Sequence, residues 1–151
     1  MRKLKSKMLK ISNNALIIDG TLLFIADKGT KLEILMTNID DIITKSPQTA
    51  IAVVTIGISL PQLNSYDVTL TEVDGNFNTN RKDAEKLSSL FESKIGLIIS
   101  MVERSHKISR KLILETNCST RVSIGNGLKS PYCNITFKET KFRVLEFFSL
   151  N

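Results

Sequence analysis

The chain has 151 residues, enough for one domain that buries about 70% of its unfolded surface without disulfides or a metal. Hydrophobic residues at 42% and charged residues at 24% are ordinary globular usage, which argues against a disordered, collagen-like or coiled-coil chain. There is no Trp and there are only two Tyr, so the seven Phe carry nearly all the aromatic burial and aromatic ligand cages are poorly supplied.

The net charge of +6 is segregated. Residues 1 to 10 hold five basic and no acidic side chains, residues 11 to 80 hold three against eight, and residues 81 to 151 hold thirteen against seven. Partners feel local potential, so two readings stand side by side: the basic tail lies on the acidic first half, or the basic segments meet an anionic partner. The tail is followed by Ser12, Asn13 and Asn14 and not by an apolar stretch, unlike a secretory signal. The longest nearly apolar run, Ile95 to Val102, spans eight residues, too few for a bilayer. A cytoplasmic protein is expected.

In chain order, Ala15 to Asp19 and Leu22 to Ala26 are short apolar runs split by Gly20-Thr21, followed by the turn residues Asp27-Lys28-Gly29. Alternation at Leu32, Ile34 and Met36 predicts a further strand. Ser46-Pro47 breaks the chain, and the β-branched run from Ala50 to Leu60 has strand character, as does the two-residue period of Tyr66, Val68 and Leu70. Five or six short strands are therefore expected over residues 14 to 74. Asn80 and Asp83 supply a cap and a first-turn acid for a helix from Arg81, and Ala84, Leu87, Phe91, Ile95, Ile98 and Val102 extend it at helical spacing to Glu103. Beyond it, Lys111 to Glu115, Arg121 to Ile124, Cys133 to Phe137 and Phe142 to Phe148 read as strands joined by turns such as Gly125-Asn126-Gly127. The fold class is α+β: an antiparallel sheet or partly open barrel closed by one long amphipathic helix, then a β-rich C-terminal extension. The division is a basic tail over 1–12, a barrel plus helix over 13–104, and an extension over 105–151 packed on the same domain.

The chemical inventory is thin. The one histidine, His106, sits among cations in Arg-Ser-His-Lys-Ile-Ser-Arg-Lys and reads as neutral and solvated, without the orienting carboxylate a catalytic imidazole needs. Cys118 and Cys133 are too few for a disulfide framework; buried free thiols are the reading, with pairing across neighbouring strands left open. Two cysteines and one histidine do not make a zinc site, and the dispersed acids Asp19, Asp27, Asp67 and Asp74 read as solvated turn residues. No glycine loop cradles a phosphate. No cofactor, no metal and no catalysis are expected, a thiol enzyme on Cys118 or Cys133 being the remote alternative.

Two basic clusters remain: Arg2, Lys3, Lys5, Lys7 and Lys10 at the start, and Arg104, Lys107, Arg110 and Lys111 after the helix. Either can neutralise the phosphates of nucleic acid or anionic lipid, or can simply be solvated surface. Lys138, Lys141 and Arg143 alternate with Phe137 and Phe142, which is compatible with a binding strand or with Phe pointing to the core. The helix half that is apolar nearly all round offers Ile95, Ile98, Ile99 and Val102 to the core or to a partner.

The stretch Gly20-Thr-Leu-Leu-Phe-Ile-Ala-Asp27, then Lys31-Leu-Glu-Ile-Leu-Met, then Asn38-Ile-Asp-Asp-Ile-Ile43, closed by a helix over 81–103, resembles the pleckstrin-homology-like (PH-like) superfamily, and within it is similar to the CheF family of archaeal taxis adaptors. The resemblance covers residues 15 to 104 and lacks the helix Trp many members carry. It implies a scaffold that binds a protein partner, a peptide or a phosphoinositide. The expected function is thus a non-catalytic adaptor for a protein partner; the alternative is an anion binder recognising nucleic acid or acidic membrane, and the β-rich segment from residue 107 to 151 reads as completing either a second small sheet or a homodimer.

Overall fold

In the computed structural model, which describes residues 18–74, 81–104, 106–125, 132–137 and 142–148, six strands form one sheet. They are β1 (Thr21–Ala26), β2 (Ile51–Ile56), β3 (Thr69–Val73), β4 (Ile95–Ser100), β5 (Arg121–Ile124) and β6 (Ile135–Phe137). The order is β3-β2-β1-β4-β5-β6 and each neighbouring pair is parallel. Among the described residues four helices accompany them: α1 (Leu32–Lys45), α2 (Arg81–Glu92), α3 (Lys107–Glu115) and α4 (Val144–Phe148), with a 3-10 turn at Pro61–Ser65. This is a doubly wound, Rossmann-like α/β arrangement.

The antiparallel barrel closed by one long helix is thereby corrected. The reason lies in the strands themselves. All six residues of β2 and five of the six in β1 are buried, so these strands are covered on both faces, the condition under which parallel sheets form. Parallel neighbours need crossovers, and the crossovers are helices that the sequence disguised as strands. Leu32, Ile34 and Met36 lie in α1, whose buried positions are Leu35, Asn38, Ile39 and Ile42 at helical spacing. Residues 111–115 lie in α3, which buries Ile108, Ser109, Leu112 and Ile113. Residues 144–148, read as strand, are α4.

The long helix is corrected in the opposite sense. It starts at Arg81 as expected but ends at Glu92; after Ser93 and Lys94 the chain enters β4. Ile95, Ile98, Ile99 and Val102 are buried at 6%, 0%, 0% and 1% exposure, and so line the interior of this chain. The turn expected at 125–127 falls mostly outside the described residues.

Two apolar layers sandwich the sheet. On one face Leu22, Phe24, Val53, Leu97 and Ile99 meet Leu35, Ile39 and Ile42 of α1, Leu63 of the 3-10 turn, and Phe142 and Val144 at α4. On the other, Leu23, Ile25, Val54 and Ile98 meet Leu87 and Leu90 of α2, Ile108 and Leu112 of α3, and Cys118 and Cys133. The connections from β1 through β3 run over the first face and those from β3 to β5 over the second. The winding therefore reverses between β1 and β4. β5 and β6 belong to the same sheet as β1, so the segment after residue 104 completes this core. Among the described residues no helix is long and apolar enough to cross a membrane.

Candidate functional site

In open parallel sheets the loops diverge at the point where the winding reverses, leaving a crevice beyond the carboxyl ends of the two central strands. Here those strands are β1 and β4. β1 runs out at Ala26 into the loop Asp27-Lys28-Gly29-Thr30-Lys31 and then α1. β4 runs out at Ser100 into Met101 to His106 and then α3.

Asp27 joins the two loops. Its side chain is 3% exposed. Oδ1 accepts the N–H of Gly29 at 3.0 Å and of Glu103 at 2.9 Å; Oδ2 accepts the N–H of Arg104 at 3.4 Å and lies 2.8 Å from Nε2 of His106. Burial pushes the carboxyl's pKa up. The N–H of Glu103, the imidazole of His106 and the N–H groups of Arg104 and Gly29 outweigh that and hold it below the ordinary carboxylate value. Ionised Asp27 can only accept, so Nε2–H of His106 is the donor in this contact. Thr30 adds a second tie: its hydroxyl accepts the N–H of Asp27 at 2.8 Å and donates to the carbonyl of Met101 at 2.7 Å.

Gly29 shows how tightly the loops are pressed together. A Cβ at this position would lie 2.0 Å from Oε2 and 2.3 Å from Cβ of Glu103. The two loops therefore make a fixed junction at this edge. Around it Lys28, Lys31, Glu103, Arg104 and Lys107 are exposed.

Sequence reasoning took His106 and Asp27 for solvated residues, and the structure corrects both. The His106 side chain is 26% exposed and has the carboxylate partner it seemed to lack. The signal was the polar Asp-Lys-Gly-Thr turn after a fully apolar run; its partner loop was hidden because Ile95 to Val102 read as helix. Among the described residues the hydroxyls in this hydrogen-bond set are those of Thr30, 3.4 Å from Asp27 Oδ1, and Ser109, bonded to the backbone of His106. Among the described residues no three His, Cys, Asp or Glu side chains gather to hold a metal.

The second basic cluster is divided. Arg104 and Lys107 stand at the carboxyl edge, whereas the Arg110 guanidinium lies 5.9 Å from the centre of the Tyr132 ring and Lys111 Nζ is 3.9 Å from Glu115. Arg2, Lys3, Lys5, Lys7 and Lys10 lie outside the described residues. Arg143, read as part of a binding strand, is paired with Asp41 of α1. A further cavity of 510 Å³ opens at the other end of the sheet, lined by Asp19, Lys94, Gly96, Asn117 and Ser119 among others. It lies at the amino ends of the strands, where Lys94 and Asp19 pair with each other, and none of the carboxyl-edge groups reaches it.

The β1–α1 loop has one glycine where dinucleotide-binding sheets of this strand order carry G-x-G-x-x-G, so their fingerprint is absent from this loop. No family model, no curated protein and no solved structure matches this chain.

Proposed function

We propose that this chain is a non-catalytic binding module whose ligand sits at the carboxyl edge of the sheet, between the β1–α1 and β4–α3 loops. The observation that carries the reading is Asp27, a buried carboxylate at the winding reversal that accepts backbone N–H groups from both loops and the His106 imidazole. Such a junction preorganises a crevice, because the loops that would touch a ligand are fixed before it arrives. Position supplies the other half of the reading: open α/β sheets bind ligands at this reversal, an analogy of architecture that the residues around Asp27 make specific to this chain.

The test is a mixed panel of neutral and charged small molecules screened by amide chemical shifts on the full chain. Perturbations confined to residues 27–31 and 101–107 are expected. Perturbations confined to Lys94, Gly96 and Asn117 would move the site to the amino-end cavity and overturn the reading. Turnover of a panel compound that His106→Gln abolishes would overturn its non-catalytic part.

A further inference from the structure

We infer that the ligand of this edge is an anion of phosphate or sulfate chemistry, gripped by cations from both loops. The inference rests on the site reading above and adds the ligand class to it.

Lys28 and Lys31 come from the β1–α1 loop; Arg104 and Lys107 come from the β4–α3 connection and the first residue of α3. Distant in sequence, they are brought to one edge by the parallel pairing of β1 with β4 and by the hydrogen bonds of the Glu103 and Arg104 N–H groups to Asp27. All four are exposed, and none has an ion-pair partner among the described residues. Of the acids at this edge, Asp27 is below the surface with its oxygens filled by donors, whereas Glu33 in the first turn of α1 and Glu103 are exposed. Two further features add positive potential at the same edge. α1 starts at Leu32, with Lys31 as its flanking residue, no side-chain cap and Glu33 in its first turn, and α3 starts at Lys107, so both helices have their amino ends here. Four exposed cations against two exposed acids leave this edge net positive, an excess that a neutral ligand leaves in place and a compact polyanion offsets.

Glu103 opposes the anion. Its carboxylate packs over Gly29 on the rim, within reach of the same crevice. This gives the inference a test of sign, since removing that charge should help binding.

The experiment titrates the full chain with sodium sulfate, with pyrophosphate and with a nucleoside diphosphate at low ionic strength, following amide shifts and heat. Shifts at residues 27–31 and 103–107 are expected, with affinity falling as salt is raised. Lys28→Ala/Lys31→Ala and Arg104→Ala/Lys107→Ala should each weaken binding roughly tenfold, Glu103→Gln should tighten it several-fold, and Lys94→Ala, at the other end of the sheet, should change nothing. A nucleoside diphosphate no tighter than pyrophosphate assigns the grip to the phosphates alone; tighter binding adds a nucleoside contact beside them. If these anions leave the edge amides unmoved while a neutral compound binds there, the ligand class is wrong and the site stands. If shifts spread over all lysines and ignore the variants, the anion grip is wrong. If no compound of either kind moves the edge, the site reading itself fails.

Discussion

Asn38 accepts the backbone N–H of Val144 through its Oδ1 at 2.7 Å, and the same amide donates through Nδ2 to the carbonyls of Phe142 and Ile34. One buried side chain on α1 thus holds the backbone of the C-terminal segment, while Arg143 between those two contacts pairs with Asp41 one helical turn along. Phe142 and Val144 can then enter the core at 1% and 0% exposure.

Replacing Asn38 by Leu keeps the branching of the side chain and strands a buried N–H and a buried C=O, so it should lower unfolding free energy by about 2–4 kcal/mol. Denaturant titration of Asn38→Leu checks this. A loss within experimental error of zero would show that the segment is held by its apolar contacts alone.

Asp27 gives the acid limb of stability a specific owner. Its folded-state pKa lies below the ordinary value of 3.8, so the folded chain binds this proton less readily than the unfolded chain. The stabilisation is complete above that ordinary value and fades as pH falls through the lower folded value. Asp27→Asn should be less stable by about 2 kcal/mol at pH 7, and the gap should close below roughly pH 4. Unfolding curves of both proteins from pH 7 to pH 2 measure it.

Ser100 and Ser123 are register partners on β4 and β5, both fully buried, and neither hydroxyl has a hydrogen-bond partner among the described residues. An unpaired buried hydroxyl destabilises. Ser100→Ala should therefore raise unfolding free energy by about 1 kcal/mol, seen as a higher denaturant midpoint at unchanged slope. A drop would reveal a partner for that hydroxyl.

Gly20 enters β1 with φ +128°, and a Cβ there would stand 2.4 Å from the carbonyl oxygen of Lys94. The obstacle is backbone and cannot swing aside. Gly20→Ala should cost about 1–3 kcal/mol, measured by thermal unfolding.

Both thiols are buried. Burial pushes Cys133 up to about 11 and raises Cys118, outweighing for Cys118 the hydrogen bond to Thr120 and for both the nearby Arg121. Native protein at pH 8 should react with a thiol reagent far more slowly than denatured protein, which should yield two equivalents. Fast labelling of either cysteine without denaturant would contradict their burial.

How much was legible follows from the period of each segment. Arg121 to Ile124 and the core of Ala50 to Leu60 were readable as strands because β-branched runs between turn residues have few other homes. The start of α2 at Arg81 was readable from its apolar spacing. Ile95 to Val102 was not. A run apolar on all sides has no period, and Ile95, Ile98 and Val102 also match a helix, so burial in a two-sided sheet looked like a helix continuing. Leu32, Ile34 and Met36 failed in reverse: their alternation is real, but Leu35, Ile39 and Ile42 set the buried stripe of α1. Each error alone is local. Together they erased the crossovers, and with them the parallel sheet and the meeting of Asp27 with His106.

The central position of β1 has a kinetic consequence. Leu22 pairs with Ile51 on one side and Leu97 on the other, so the strand nearest the start of the sheet is among the last to be enclosed. Each of its ladders closes a long loop before any hydrogen bond repays the lost entropy, which makes the chain a slow folder for its size. Until β4 has been made and docked, Leu22 to Ala26 is a bare apolar strand with one edge open, and it is the segment through which newly made copies would first aggregate.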